Sequence, residues 1–302
     1  MAIIKRRDCN TKDVMNLIKK DKCFKKLGTH MNTLLKKDIY QNRNIENCPN
    51  CNGNKYIKYG SYKEIQRYKC KDCGKTFSKT THSLWSYSKK EPIKWIKFIE
   101  YVMERKSLRF CAKKLEISLV TAFYWRHKIL HALTFDSVPD KLSGDVYISK
   151  KLIPENFKGS RKITTHLRHN IWVVGAKGNE DSMIAKPISR GFWDLQSFNK
   201  KIYYIIDKKS YIVPYGDRYI SSVANTHNKK RIKEVKDEHK IKWFPNNLGG
   251  WLKKYYGVAT KYLDEYLSLF ILFNIKKKIN YIAMFGQLSF GSRFIKTKEI
   301  GC

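Results

Sequence analysis

The sequence predicts an α+β protein with several domains, and three observations support this prediction. Two Cys-x-x-Cys pairs stand eighteen residues apart in the first quarter of the chain. Apolar residues then recur at helical spacing across residues 90–135. Further on, strand-like apolar runs alternate with helical patterns over residues 140–285. A chain of 302 residues can hold two or three small domains.

These patterns divide the chain into five segments. We assign no structure to the basic N-terminal segment and none to the tail. The predicted boundaries are 1–45 for the N-terminal segment, 46–82 for a zinc ribbon, 90–135 for a helix-turn-helix, 140–285 for the largest domain and 286–302 for the tail.

The charge of the chain points to a polyanionic partner. Lys and Arg number 62 and Asp and Glu number 26, which gives a formal net charge of +36. Nucleic acid is the usual partner of a globular protein with such an excess. The alternative is a basic solvated surface from an AT-rich genome, but such a genome supplies Asp and Glu codons as well. Composition bias alone therefore does not explain the imbalance.

Neither a membrane span nor a secretory leader is predicted. The longest strongly apolar stretch, residues 266–275, is too short to cross a bilayer. The first residues lack the apolar region of a signal peptide. Of eight cysteines, four form two tight pairs and four are scattered, which is not a disulfide framework. We expect a cytoplasmic, nucleoid-associated protein, or a nuclear one in a eukaryotic host.

The paired cysteines have the spacing of a zinc ribbon. Two residues between thiols allow both sulfurs of a pair to reach one tetrahedral ion. Gly74 suits the tight turn that follows the second pair. A closed set of four thiolates indicates a structural zinc ion, because a catalytic zinc keeps an open position. The predicted ligands are Cys48, Cys51, Cys70 and Cys73.

Strand-like residues 56–59 and 66–69 lie between the cysteine pairs, with a turn predicted around Gly60 and Ser61. Basic residues here alternate with aromatic ones, which favours a surface that faces DNA; simple solvation of the basic side chains is the alternative. The candidate contacts are Arg67 and Lys69, joined by Lys71, Lys75 and Lys79 and interleaved with Tyr68 and Phe77.

Residues 90–135 predict three helices. Pro92 suits a first helical turn, and Ser107 and Ser118 suit the caps of the second and third helices. A short turn at 116–118 separates the last two helices, as in a helix-turn-helix. The backbone of Glu116 should take a positive φ there, a conformation that glycine adopts more easily.

The third helix would enter the major groove of DNA. Its candidate contacts are Thr121, Tyr124, Arg126 and Lys128, while Val120, Phe123 and Leu130 should face the core. The alternative is an ordinary helical packing module.

Three runs in this order carry a family resemblance. They are residues 48–80, which end in RYKCKDCGKTFSKT, then SLVTAFYWRHKIL at 118–130, then GVATKYLDEYL at 257–267. Together they resemble the zinc-ribbon-headed insertion-sequence transposases of the acidic-triad (DDE) type. The resemblance spans residues 48–273.

The resemblance implies a DNA transposase with an RNase-H-like α/β domain and a mixed sheet at residues 140–285. Its partners would be double-stranded DNA, at the element ends and the target, and a second copy of the chain. Besides structural zinc, it implies a pair of Mg²⁺ or Mn²⁺ ions that stabilise the entering and leaving oxygens of the cut phosphodiester. Carboxylates must converge to hold such ions.

The resemblance places the carboxylates only in part. Asp207 ends the apolar run 202–206, as the second acid of the family ends its strand. The first acid is missing, because Ser149 stands where the family has Asp and Lys150 stands where it has Glu, counted back from the basic loop 157–162. Asp145 lies four residues upstream of Ser149, too far for a simple shift of register.

The third ligand also departs from the pattern. Its position, counted back from Trp251, falls on Leu248. Glu238, or its neighbours Asp237 and His239, could substitute if the preceding loop has moved. Asn246 and Asn247 match only with a shift. The stretch 244–250, with its proline and glycines, is typical of a loop.

We therefore predict a transposase-like protein that binds terminal inverted repeats and whose catalysis is impaired. One alternative is a non-enzymatic DNA-binding protein. Another is a zinc-ribbon protein that binds RNA or acts in transcription, but the predicted hairpin at 171–175 and 182–185 argues against it, because such a protein needs no RNase-H-like domain.

Overall fold

The computed structural model describes residues 45–62, 65–86, 88–135, 137–158, 168–178, 182–229 and 238–274, with Tyr281, Met284, Phe285, Leu288 and 294–300. For residues 238–243 it describes the backbone alone. The chain divides into two compact units. The first, called the N-terminal unit, comprises Ala2–Ala132 and Lys278–Cys302; the second, called the sheet unit, comprises Leu133–Lys277.

The N-terminal unit contains a small antiparallel sheet and three helices. Strand β2 pairs with β1 on one side and with β3 on the other. The helices pack around stacked indoles, since the Trp95 and Trp125 rings lie 3.9 Å apart at 17°. The elements are β1 Tyr56–Tyr62, β2 Ile65–Cys70, β3 Thr76–Ser78, α1 Pro92–Met103, α2 Leu108–Leu115, α3 Leu119–Thr134 and the short α8 Thr297–Ile300.

The sheet unit is built around a four-stranded mixed sheet. Its strand order is β6-β5-β4-β7, with β4, β5 and β6 antiparallel and β7 parallel to β4. The elements are β4 Asp145–Pro154, β5 Asn170–Lys177, β6 Met183–Arg190, α4 Leu195–Lys201, β7 Tyr211–Tyr215, α5 Arg218–Asn228, α6 Glu238–Lys253 and α7 Leu263–Asn274. The hairpin predicted around residues 171–185 is confirmed as β5 and β6.

Helices cover both faces of this sheet. On one face, α4 and α5 enclose a core that includes Val146, Ile148 and Phe198. The side-chain amide of Asn228 fastens α5 to β7 by bonding both the N–H and the carbonyl of Ile212, each at 2.9 Å. On the other face, α6 packs on β4 and α7 packs on β6.

The sequence prediction is wrong for two stretches of the sheet unit. The apolar run 202–206 was expected to form a strand, but Tyr203–Ile205 is a turn of 3₁₀ helix. Residues 244–250 were expected to form a loop, but they lie inside α6. Phe244 and Leu248 are fully buried, and Gly175 leaves room for the Phe244 ring, which a Cβ there would approach within 2.5 Å. Packing on the sheet therefore outweighs the poor helix propensity of proline and glycine.

Among the described residues, no helix is both long enough and apolar enough to span a bilayer.

Candidate metal centre and candidate nucleic-acid interface

The four predicted cysteines converge. Their sulfur atoms all lie within 4.8 Å of one another. The Sγ atoms of Cys48 and Cys73 are 3.8 Å apart, and those of Cys51 and Cys70 are 3.6 Å apart. Tetrahedral zinc with Zn–S bonds of ~2.3 Å requires sulfur separations of about 3.8 Å. The donor set and its spacing therefore fit one zinc ion.

Two backbone turns hold the sulfurs in place. The amide of Cys48 donates to the carbonyl of Gly53 at 2.8 Å, and the amide of Cys70 donates to Lys75 at 3.0 Å. Gly74 has φ 69°, as its predicted role in the turn requires. Burial raises the pKa of the Cys48 thiol, but hydrogen bonds from Asn50 and Cys51 outweigh it and bring that pKa down to about 7. The amide of Gly53 lowers the pKa of the Cys51 thiol, but the neighbouring thiols and burial outweigh it and raise that pKa to about 12. A metal ion bound by the cluster would favour the thiolate form of each ligand.

The small sheet has one covered face and one open face. Tyr56, Tyr68 and Phe77 pack as a cluster of rings, with Tyr68 stacked on Phe77 at 5.7 Å. Tyr68 and Phe77 were expected to face DNA, but they form the core beneath the zinc centre. The predicted turn at Gly60 is also wrong, because Gly60 lies within β1 at a bulge, with φ 65°.

The open face carries the predicted basic residues. Lys69 pairs with Ile57 across β1 and β2, and Arg67 pairs with Ser78 on β3. The cationic groups of Arg67 and Lys69 lie 5.8 Å and 5.4 Å from the ring centre of Tyr59, which is about half exposed. Tyr59 was not among the residues predicted to contact DNA. Strand alternation places it with Arg67 and Lys69 rather than with Tyr68.

The predicted helix caps are confirmed. Pro92 occupies the first turn of α1. The Ser107 hydroxyl accepts from the amide of Phe110 at 3.2 Å, and the Ser118 hydroxyl accepts from the amide of Thr121 at 3.0 Å. Glu116 has φ 54°, so the turn between α2 and α3 takes the left-handed conformation that its position predicted.

The start of α3 is open to solvent. Leu119 and Val120 are 47% and 62% exposed. Val120 was expected in the core, and the structure corrects this, because the first helical turn projects beyond the residues that pack on α1. Leu130 is buried as predicted. Thr121 and Tyr124 are half-buried at this same end of the helix.

Arg126, a predicted DNA contact, is instead buried. It is 8% exposed, and its guanidinium donates to the carbonyl of Lys106 at 2.7 Å. Burial raises the pKa of the neighbouring Cys111 thiol, and the charge of Arg126 opposes that shift. Arg126 therefore ties α3 to the loop before α2, because a buried cation needs partners inside the protein.

Lys128, the last predicted contact on α3, lies against a residue near the C-terminus. Its ammonium is 5.6 Å from the ring centre of Phe294, which also stacks on His82 at 5.9 Å. Burial lowers the pKa of Lys128. Of the four predicted contacts on α3, Thr121, Tyr124 and Lys128 are partly exposed, whereas Arg126 is buried.

The structure does not bring the predicted catalytic residues together. The amide of Asp207 donates to Leu142, which precedes β4, and its carboxylate accepts from the amide of Lys209. Ser149 pairs with Tyr215 at the opposite end of the β4–β7 pair. Ser149 lies seven residues beyond Leu142, which corresponds to roughly 20 Å at ~3.3 Å per residue along a strand. Asp207 therefore lies far from the position of the missing first acid.

Asp217, which was not predicted as a site residue, is an acid next to this position, because it pairs with Lys150. Asp217 follows β7 by two residues and caps the N-terminus of α5. The ammonium of Lys150 donates to Asp217 Oδ2. The sequence offers one signal for Asp217: the apolar run of β7, like the run 202–206, is followed by an acid. The sheet decides between the two runs, because β7 is the one that pairs with β4.

The remaining candidates lie partly outside the described residues. Glu238 begins α6, but its side chain is not described, and Asp237 and residues 159–162 of the basic loop lie outside the described ranges. Leu248 is fully buried. Among the described residues, the cysteine cluster is the only group of three or more His, Cys, Asp and Glu side chains placed to hold a metal ion.

Comparison with known proteins gives one informative match. No protein family matches the chain, and neither does any solved structure. A protein of Halobacterium salinarum, described as an uncharacterized protein in the transposable element ISH50, is 31% identical over 121 residues. The match covers 40% of this chain and 40% of that protein, so the chain spans less than half the length of the relative.

Proposed function

We propose that this chain is a DNA-binding protein of transposase descent that binds the terminal inverted repeats of its element. The observation that carries the proposal is the four-cysteine centre beneath an open basic and aromatic sheet face. The match to a protein of a transposable element supports the same origin.

The open face of the ribbon suits a phosphate backbone. Arg67 and Lys69 supply charge, and the hydroxyl of Thr76 holds the Arg67 guanidinium at 3.1 Å. The ring of Tyr59 keeps both cations on this face through cation–π contacts. Such contacts to phosphates set affinity and register but not sequence.

Sequence preference would come from the helix pair. The exposed start of α3 presents Leu119 and Val120 beside Thr121. Side chains at the first turns of a recognition helix reach base edges in the major groove, and apolar groups contact thymine methyls there. Lys113 and Lys114, exposed near the end of α2, lie where a first helix crosses the DNA backbone.

The sheet unit supports the descent but not active catalysis. Its order β6-β5-β4-β7, with three antiparallel strands and a parallel fourth, agrees with the first strands expected of the RNase-H-like domain that the resemblance implies, and so supports that part of the proposal. Where the family has its first and third acids, the chain has Ser149 and Leu248. Neither side chain is a useful ligand for Mg²⁺, which prefers carboxylate oxygens.

The test is binding to duplexes that carry the DNA ends flanking this gene. The chain should bind them more tightly than a shuffled duplex of the same composition. Thr121→Ala combined with Tyr124→Ala should reduce that preference, because these residues lie at the exposed end of α3. The control variant, Lys208→Ala, changes an exposed lysine of the sheet unit. Equal binding to both duplexes, or tighter binding to RNA of the same sequence, would refute the proposal.

Strand cutting is the second candidate function, and it has its own assay. The wild-type protein should leave these duplexes uncut in Mg²⁺ or Mn²⁺. Cutting by the wild-type chain would show that other acids complete a site. Cutting only after Ser149→Asp with Lys150→Glu would locate the defect on β4.

A further inference from the structure

An ion pair closes the end of the sheet where β4 and β7 run side by side. The ammonium of Lys150 donates to Asp217 Oδ2 and lies 4.0 Å from the ring centre of Trp172. The side chains of Lys150 and Asp217 are 22% and 5% exposed. Both charges are therefore largely withdrawn from water.

Asp217 has both carboxylate oxygens in use. Oδ1 accepts from the amides of Tyr219 and Ile220, at 2.9 Å and 3.2 Å, at the first turn of α5. Oδ2 accepts from Lys150. A carboxylate committed in this way cannot ligate a metal ion unless the lysine leaves.

The two residues at the position of the first acids point to opposite faces of β4. Neighbouring strand residues alternate between faces. Lys150 shares its face with Trp172 and Asp217, whereas Ser149 lies on the face covered by α6. Ser149 is 1% exposed, and its hydroxyl has no hydrogen-bond partner among the described residues. Lys150 thus holds Asp217 on the α5 side of the sheet, away from Ser149.

We propose that the ammonium of Lys150 takes the place of a divalent cation at this end of the sheet and makes Asp217 a structural counter-ion. One ammonium and one carboxylate sum to zero charge, so the site needs no metal ion for neutrality. The inference builds on the proposed transposase descent, but it does not depend on DNA binding. The sheet unit should therefore bind neither Mg²⁺ nor Mn²⁺ here.

The test compares thermal unfolding of the zinc-loaded full chain with and without millimolar Mg²⁺ or Mn²⁺. The wild-type midpoint should not respond to either ion. Lys150→Met should lower the midpoint by roughly 5–10 °C without rescue by metal, because it leaves a buried carboxylate unpaired. Lys150→Glu should lower it as well, but here Mn²⁺ should restore most of the loss by bridging the new carboxylate and Asp217.

The matched control is Lys186→Glu. Lys186 forms an ion pair with Asp264 at 3.0 Å in the same unit, but Asp264 is 45% exposed. That variant should lose less stability and respond little to Mn²⁺. If Lys150→Met does not fold, Lys150→Arg keeps the charge and should still bind no Mn²⁺.

Three results would overturn the inference. They are a wild-type midpoint that rises with Mn²⁺ in a manner abolished by Asp217→Asn, a Lys150→Met midpoint equal to wild type, and a Lys150→Glu variant that Mn²⁺ does not rescue. None of these measurements involves DNA, so failure here and failure of end binding are separate outcomes.

Discussion

Buried charges in this basic chain are held by a small number of directed contacts. Arg126 donates to a backbone carbonyl in the N-terminal unit. In the sheet unit, Glu155 is 6% exposed and accepts from Arg190 through both oxygens, at 2.6 Å and 3.0 Å. Each contact joins segments distant in sequence, so the loss of one charge should be felt as a loss of stability.

The first prediction concerns Arg126. Arg126→Met should destabilise the N-terminal unit by about 1.5–3 kcal/mol, the usual cost of losing a hydrogen bond from a charged donor. Urea unfolding followed by tryptophan fluorescence would measure it, since Trp125 directly precedes Arg126 in α3. Arg109→Met, at an exposed arginine of α2, is the control and should change little. A variant of Arg126 with wild-type stability and no end binding would instead make Arg126 a DNA contact.

The second prediction concerns Glu155 and acid. Burial raises its pKa, but the Arg190 guanidinium and the amide of His169 outweigh burial, so the pKa lies below its ordinary value. A carboxyl with a lowered folded-state pKa stabilises the fold above its ordinary value of 4.5. That contribution is lost as the pH falls through the folded-state value.

Glu155→Gln should therefore lower the unfolding midpoint by about 2–4 °C at pH 7, a modest figure because Arg190 is half exposed. The difference from wild type should shrink as the pH falls below 4.5. A difference that stays constant with pH would show that packing, and not charge, accounts for it.

At the scale of elements, local signals predicted the metal centre of the N-terminal unit and the positions where its helices begin. Cysteine spacing predicted the metal centre, and Pro92, Ser107 and Ser118 predicted where the helices begin, because caps and metal ligands act within a few residues. The positive φ of Glu116 was likewise predicted from its position in the short turn between two helices. The faces of β2 were predicted wrongly, because Tyr68 was grouped with its neighbours Arg67 and Lys69 although adjacent strand residues point to opposite faces.

The sheet unit was harder to predict because its decisive contacts are distant in sequence. Asp207 follows the more apolar run, but β7 pairs with β4 and leaves Asp217 beside Lys150. Likewise, α6 is stabilised by the burial of Phe244 against Gly175 of β5. No local sequence pattern predicts this contact. Strand order and helix packing therefore determine which acid lies beside β4, and neither follows from local sequence patterns.

The third prediction tests the metal centre as an element. Wild-type protein should contain one zinc ion per chain, and Cys70→Ser should contain none. Loss of a structural zinc ion removes on the order of 10 kcal/mol of binding energy, so the amides of β1–β3 should lose their protection from hydrogen exchange while those of β4–β7 keep it. Cys111→Ser is the control, because Cys111 is buried but lies outside the cluster. Protected β1–β3 amides in zinc-free Cys70→Ser would show that the ribbon folds without zinc.

For the whole molecule, the excess of 36 positive charges governs association more than any single contact. Such a charge attracts DNA of any sequence, so tight binding alone would not identify the ends of an element. Specific binding must appear as a difference between duplexes at one salt concentration. Charge on the open face of the ribbon should therefore affect the salt dependence of binding. The side chains at the start of α3 should instead affect the difference in binding constant between the two duplexes.

The last prediction separates those quantities through salt. The logarithm of the binding constant falls by about 0.9 per neutralised phosphate for each decade of salt. Arg67→Ala with Lys69→Ala should reduce this slope by about 1.8, and equally for end and shuffled duplexes, because the proposed interface places both side chains against phosphates. Thr121→Ala with Tyr124→Ala should leave the slope unchanged and reduce the difference in binding constant between end and shuffled duplexes. Lys208→Ala with Lys209→Ala removes the same charge from the sheet unit and should leave both unchanged. If that pair lowers the slope as much as the ribbon pair does, DNA binding depends on the net charge of the chain. The open face of the ribbon would then not be a distinct DNA-binding surface.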